Sequence, residues 1–369
     1  MLQRFSYDEL YRFSKAVFIK TGCSDEHASV AAKSLIAADL RGIDSHGVAR
    51  LSGYVRLWEA GRIDTKATAE IIHETPSTAT VNANKGLGLY IGQQAMQIAI
   101  NKAKEAGTGW VSVKNSSHFG IAGHHAMMAL EDDMIGIAMT NASPLVSPTF
   151  SIDKLLGTNP LAVAIPAGNE APFVADFATT TAANGKLEIF QRQNKNIPYG
   201  WAQTNTGEPT DDADILKKGG ALLPLGGDKE HGSHKGYALG AIVDIFSAIL
   251  SGANYGPWVP PFPAYVPMPE HMPGEGIGHF FGAMRIDAFR PAADFKKHMD
   301  NWIITFKNAR AAKDHTRVYI PGEIEREAEV ERTKTGIPLL KKVIQDLEEL
   351  GKKMQVSMPA LDTNIFVKL

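Results

Sequence analysis

GLGLYIG, Gly86–Gly92, has the spacing GxGxxxG, one residue longer than the glycine fingerprint of a dinucleotide-binding βαβ unit. No strong parallel strand is expected before it. No ribose-binding acid follows in a tidy βαβ frame. The stretch therefore reads as the entry to an ordinary helix near Ile91–Ala106, and a Rossmann fold is rejected. Around it, short β-rich runs (Ala79–Val81, Gly109–Val113, Ile135–Thr140, Leu161–Ile165, Phe173–Asp176) alternate with helical segments such as Ile121–Glu131. That alternation predicts an α/β fold, a sheet with helices packed on it.

Upstream the texture is helical. Ser6 with Glu9 makes a capping box, Leu10, Phe13 and Val17 form one apolar face, and Gly22 ends the segment. Ser24 opens a second helix that Gly42 closes. A third is expected from Ser45 to Gly61, with Val48, Leu51, Val55 and Trp58 facing inward. His46, Arg50 and Tyr54 then share a neighbouring face at i, i+4 and i+8. Downstream, a helix starts near Lys235, and Gly256–Gly278 is a long Pro/Gly-rich loop. His279–Asp287 follows as a strand and Phe295–Ala312 as a helix. Ile337–Leu350 is read as an amphipathic helix with Pro338 at its start and Gly351 after it.

Composition narrows the function classes. In 369 residues, 44% are hydrophobic and 21% charged, so a large core can form without staples. A net charge of −2 gives no basic field for nucleic acid. Cys23 is the only cysteine, which excludes an internal disulfide framework and fits a reducing, cytoplasmic setting. No stretch approaches the roughly 18 apolar residues of a membrane span. The mixed-sign run Glu323–Lys334 reads as a solvated helix face.

Three constellations can carry chemistry. The first is DSHG, Asp44–Gly47, with Arg50 and Tyr54 beyond it. An arginine fork clamps a carboxylate through two hydrogen bonds, and an imidazole gives or takes a proton near neutral pH. The bland alternative is an exposed helix start with solvated side chains. The second is NSSHFG, Asn115–Gly120, which sets His118 at a strand end, with His124 and His125 close behind. A metal site is disfavoured, because no acidic or cysteine ligand sits at ligand spacing and the two later histidines point about a hundred degrees apart on a helix. The third is a set of turns, TNASP (Thr140–Pro144), GTNP (Gly157–Pro160), DFATTTAANGK (Asp176–Lys186) and PLGG with HKG (Pro224–Gly227, His234–Gly236). Their backbone N–H groups suit phosphate oxygens, with Lys235 adding a cation.

Together with RGIDSHGVARLSGYV (Arg41–Val55), LLGTNPLAVAIP (Leu155–Pro166) and VYIPGEIE (Val318–Glu325), these motifs closely resemble the type-2 malate/L-lactate dehydrogenases. That family also holds sulfolactate, ureidoglycolate and diketogulonate enzymes. The resemblance spans nearly the whole chain. It implies a non-Rossmann mixed-sheet fold divided as 1–75 (N-terminal helical part), 76–312 (cofactor and substrate lobe) and 313–369 (C-terminal helices packing back). It implies a homodimer acting on a small 2-hydroxy or 2-oxo acid, with neither nucleic acid nor membrane as partner.

By the same resemblance, His46 and His118 are the acid/base candidates, with Ser45 beside them. Arg50, Tyr54, Thr158 and Asn159 are the substrate contacts. Ser143, Asp176, Ala178, Thr179, Thr180, Thr181, Ala182, His234, Lys235, Gly322 and Glu323 are the cofactor contacts, and no metal is implied. The extended GGDKEHGSHKG run and the Pro-rich loop favour the malate-type branch. The absence of arginine from DFATTTAAN favours NAD over NADP. Two other classes stand beside this reading: a catalytically silent nucleotide-binding dimer, and a metal-dependent hydrolase using His118, His124 and His125.

Overall fold

The structure is a computed structural model that describes residues 3–358. Its strands are β1 (Gln3–Phe5), β2 (Glu70–Glu74), β3 (Thr78–Asn82), β4 (Thr108–Ser116), β5 (Met134–Thr140), β6 (Leu161–Ile165), β7 (Phe173–Phe177), β8 (Ala202–Gln203), β9 (Pro209–Thr210), β10 (Ala221–Leu222), β11 (Ile277–Arg285) and β12 (Ile337–Leu339). Its helices are α1 (Tyr7–Lys20), α2 (Asp25–Leu40), α3 (Leu51–Glu59), α4 (Gly88–Ala106), α5 (Ala122–Met127), α6 (Asn184–Arg192), α7 (Ser233–Asp244), α8 (Ala292–Lys307), α9 (Glu323–Thr335) and α10 (Lys341–Met354).

The main sheet runs β2-β3-β4-β11-β5-β6-β7. β3 and β4 pair in parallel, whereas the other neighbours are antiparallel. One expectation is thereby corrected: a parallel strand does precede Gly86–Gly92, and β3-α4-β4 is a βαβ unit. The glycines still do not cradle a phosphate. A Cβ on Gly88 would lie 2.1 Å from the Ser117 carbonyl oxygen, and one on Gly92 would lie 2.7 Å from the His125 ring. The Gly88 N–H donates to Ser117 Oγ. Close helix–strand packing, not a dinucleotide, requires these residues, and the isolated βαβ unit sits in an otherwise antiparallel sheet.

A helical core joins both ends of the described chain. Leu10, Phe18, Leu35 and Leu51 are fully buried with Ile337 and Leu347. The Ser6–Glu9 capping box and the Ser24 N-cap form as expected. The charged helix α9 is largely solvated and ties back through Arg41–Glu329 and Arg332–Asp44 ion pairs. Two boundaries differ from the sequence reading. Pro338 lies in β12, paired with Arg4 of β1, because its missing N–H is tolerated in a two-stranded edge. Gly351 falls inside α10. A second core fills the space between the main sheet and α4 and α5. A third, smaller one under β8, β9, β10 and α6 holds Val146, Leu187 and Leu222.

Candidate active site

The catalytic candidates converge where α2 hands the chain to α3. His46 is not on a helix, because α3 starts only at Leu51 after a 3-10 turn over Val48–Arg50. The turn is fixed from below by Asp39, whose buried carboxyl group accepts the Val48 N–H at 2.8 Å. Gly47 is obligatory here, since a Cβ would fall 2.0 Å from an Asp39 oxygen. Arg50 Nε donates to the Ser45 carbonyl at 2.6 Å, curling the guanidinium back over the turn. Ser45 Oγ meets His46 Nδ1 at 2.8 Å.

His118 arrives from the main sheet, just past the end of β4. Its ring stacks on His46 with centroids 5.6 Å apart. Tyr54 Oη sits 2.6 Å from His118 Nδ1, and the Gly120 N–H donates to the same nitrogen. That occupies Nδ1 and leaves Nε2 for a ligand. Burial and the neighbouring Arg50 charge push the His46 imidazole down to about 4. His118 is held well below its ordinary value by burial first, then by His46 and Arg50. Burial raises the Tyr54 phenol, so it stays protonated and can donate. Two neutral imidazoles beside one guanidinium have the chemistry to exchange a proton and to hold an anion.

One side chain of the site was not legible beforehand. Phe262, from the Pro-rich loop, packs 5.0 Å from the His118 ring and 5.5 Å from Tyr54, with the Arg50 guanidinium 5.9 Å over its face. Ser143 holds that loop: its hydroxyl donates to the Pro260 carbonyl and accepts the Phe262 N–H. The loop lacks periodicity, so nothing in the sequence marks which of its aromatics turns inward.

The remaining candidates make their hydrogen bonds to groups other than the imidazoles, although the DFATTTAANGK turn meets Ser45 and Arg50 at Gly185. Asn159 is fully buried, bonded to the Ala142 N–H and the Gly240 carbonyl. The Thr158 carbonyl accepts from the Thr179 N–H and hydroxyl. The Thr180 and Thr181 hydroxyls serve the carbonyls of Ala182, Trp201 and Leu223, and Ala178 is half-buried between β7 and this turn. Asp176 accepts the Gly123 N–H, and burial lifts its carboxyl to about 6. Gly322 packs on Val174, and the Glu323 carboxylate is taken by Arg317 and the Ile320 N–H.

His234 and Lys235 differ from these. Both are exposed on the first turn of α7, which begins after Gly232 with no side-chain cap among the described residues. The Ser233 and Lys235 N–H groups donate to the Asp228 and Gly232 carbonyls, so the positive end of the helix and the Lys235 cation are what fit a diphosphate. The later histidines do not join His118: His125 Nε2 meets the Phe119 carbonyl, and His124 lies near Arg41.

Residues 5–348 match the malate/L-lactate dehydrogenase family. The chain belongs to that family. Among its relatives, the malate dehydrogenase of Pyrococcus abyssi is 43% identical over 96% of this chain and 95% of its own. The malate/(S)-sulfolactate dehydrogenase of Methanothermus fervidus is 37% identical over 91% and 94%. The crystal structure of malate dehydrogenase from Entamoeba histolytica superposes with a TM-score of 0.90 at 35% identity, covering 98% of this chain and all of that one. This family member is therefore an oxidoreductase with the mixed-sheet dehydrogenase fold, which removes the silent nucleotide-binding alternative. Among the described residues, no helix is long and apolar enough to cross a membrane.

Proposed function

We propose that this dehydrogenase interconverts malate and oxaloacetate with NAD, in the cytoplasm and as a homodimer. The observation that carries the reading is the pair of stacked imidazoles, His46 and His118, beside the Arg50 guanidinium. Arg50 clamps the substrate's C1 carboxylate with its two terminal nitrogens, which have no hydrogen-bond partner among the described residues. Tyr54 orients His118, and Ser45 orients His46.

When bound, a nicotinamide cofactor would supply or take up the hydride exchanged at C2 of the substrate. The chain's own part is the proton at the C2 oxygen, which passes to or from one of the two imidazoles. His118, whose Nδ1 accepts from Tyr54 and Gly120, carries its proton on Nε2 and suits donation in reduction. His46, with Nδ1–H donating to Ser45 Oγ, presents a bare Nε2 that suits the oxidation direction, where the hydroxyl proton must be taken. When a bound carboxylate offsets the Arg50 charge, protonation becomes easier and the same ring can return the proton during reduction. The α7 start with His234 and Lys235 would hold the cofactor's diphosphate, and Asp176 and the Thr179–Ala182 turn would shape its seat. Ser143, Gly322 and Glu323 complete the proposed cofactor contacts, and Thr158 and Asn159 the substrate ones.

The homodimer is supported by a surface stripe on α7 and the turn after it, where Tyr237, Ile242, Ile245, Phe246, Ile249 and Leu250 lie exposed. Large apolar side chains left in water along one helix call for a partner. NAD is favoured over NADP because no arginine lies in the DFATTTAAN turn to meet a 2′-phosphate.

The test is a matrix of oxaloacetate, pyruvate, sulfopyruvate and oxalurate against NADH and NADPH, following loss of reduced-nicotinamide absorbance. The reading expects the highest kcat/KM for oxaloacetate with NADH. Preference for sulfopyruvate would move the substrate to the sulfolactate branch. No turnover with any pair would sink the proposal.

A further inference from the structure

Oxaloacetate carries a second carboxylate, and the imidazole–Arg50 cluster offers one guanidinium. A cavity of about 370 Å³ is lined by both His118 and Phe262 and not by Arg50. Leu57, Phe262, Met268 and Met272 give it apolar walls, and Arg62 and Lys85 bring cations to it. Among the described residues, neither cation has a carboxylate partner. Arg62 donates to the Pro261 and Val266 carbonyls, which fixes its guanidinium in place but leaves its charge unbalanced. Glu275 also lines the cavity, and Lys114 already pairs with it at 2.6 Å.

The floor is built at a conformational cost. Lys85 and Asn115 both sit in the left-handed region, with φ of 63° and 58°. The Lys85 N–H donates to the Asn115 carbonyl, and the Asn115 N–H donates to the Glu275 carbonyl. The Lys85 carbonyl in turn accepts the Asp64 N–H. Side-chain-bearing residues hold such a backbone only where the surroundings impose it, and such positions gather at binding sites. The main chain of Lys85 is thus pinned on both sides beside the cavity, while among the described residues its ammonium has no partner.

We propose that this cavity is the subsite for the far end of the substrate, with Lys85 and Arg62 reading an anionic group one or two carbons beyond C2. The inference rests on the 2-oxo-acid reading above. With C1 at Arg50 and the C2 oxygen at His118, the chain of a C4 dicarboxylic acid enters past Phe262. The apolar walls take its methylene, and the two cations take the terminal carboxylate. A three-carbon mono-acid reaches neither.

The experiment measures kcat and KM for oxaloacetate and pyruvate with wild type, Lys85→Met, Lys85→Arg and Arg62→Lys. Lys85 is exposed, so its variants keep the fold; Arg62→Lys keeps a charge should the loop ties matter. A hydrogen bond to a charged group is worth roughly tenfold or more in binding. Lys85→Met is therefore expected to lower the oxaloacetate-to-pyruvate ratio of kcat/KM at least about tenfold, through the KM for oxaloacetate, with Lys85→Arg restoring most of it. An active wild type whose ratio is unmoved in both Lys85→Met and Arg62→Lys overturns the subsite alone. A wild type that reduces no 2-oxo acid overturns the dehydrogenation reading and the subsite with it.

Discussion

His46 and His118 lie 72 positions apart in the chain, yet their rings stack, and each is steered by a hydroxyl, from Ser45 and from Tyr54 respectively. Replacing either imidazole by alanine is expected to lower kcat for malate oxidation at least about a hundredfold, since a positioned acid/base contributes roughly 10²–10⁴. Near-normal turnover in both variants would remove the proton-transfer assignment. Tyr54→Phe deletes the 2.6 Å contact to His118 while keeping the ring that packs on Phe262. One lost hydrogen bond of this kind costs about 1 kcal/mol, so a fall in kcat of roughly five- to tenfold with little change in KM is expected. The pH profile tests the electrostatics independently. Oxidation requires a neutral imidazole, and burial with the Arg50 charge pushes His46 down to about 4. The acid limb of kcat/KM for malate oxidation should therefore fall well below the ordinary imidazole value of about 6.5. A limb at or above that value would show that neither ring is desolvated as described.

At the scale of elements, helix punctuation was the most legible feature. Ser6, Gly22, Ser24 and Gly42 all act where their capping chemistry places them, because caps are local and need no tertiary information. Central strands such as Leu161–Ile165 were legible for the same reason, through β-favouring runs between turns. Other elements depend on partners distant in sequence. β2, EIIHE, is exposed along its whole length and shows no inside–outside alternation. β12 exists only because β1 lies beside it, so Pro338 looked like a helix start. The site split in the same way. His46, Arg50 and Tyr54 were grouped by helical spacing, yet His46 reaches its place through the turn that Asp39 supports. Phe262, Arg62 and Lys85 meet His118 only through tertiary folding. Gly47→Ala tests that turn. Its Cβ must displace the Asp39 carboxyl group or the backbone carrying His46, an overpacking cost of about 1–3 kcal/mol. The variant should melt lower and lose most of its kcat, and full activity would mean that the turn does not position the imidazole.

Over the whole molecule, buried titratable groups set how stability follows pH. Five histidines, His46, His118, His124, His125 and His279, have imidazoles depressed chiefly by burial; His124 falls to about 4, and His125 and His279 to about 3. His279 sits inside β11 at the centre of the sheet, its nitrogens meeting Thr140 Oγ1 and Ser116 Oγ. In the unfolded chain these rings take protons near pH 6.5, and in the folded protein they do not. Their contribution is therefore present above about 6.5 and is lost as pH falls toward 4. Three buried acids act in the opposite sense. Burial raises Asp39 to about 8, Asp176 to about 6 and Asp244 above its ordinary value, so the folded state holds their protons where the unfolded chain has released them. Acidification favours folding through these three, and their stabilisation is lost as pH rises. Between pH 6.5 and 4 the five histidines outnumber the three acids, so net proton uptake accompanies unfolding and the melting temperature should drop steadily across that window. His279→Asn removes one of these rings from the strand that joins both halves of the sheet. Its melting temperature should be lower than wild type at pH 7.5, with a shallower slope between pH 6.5 and 4. A wild-type melting temperature that stayed flat or rose on acidification would mean that the histidines are not buried as neutral groups.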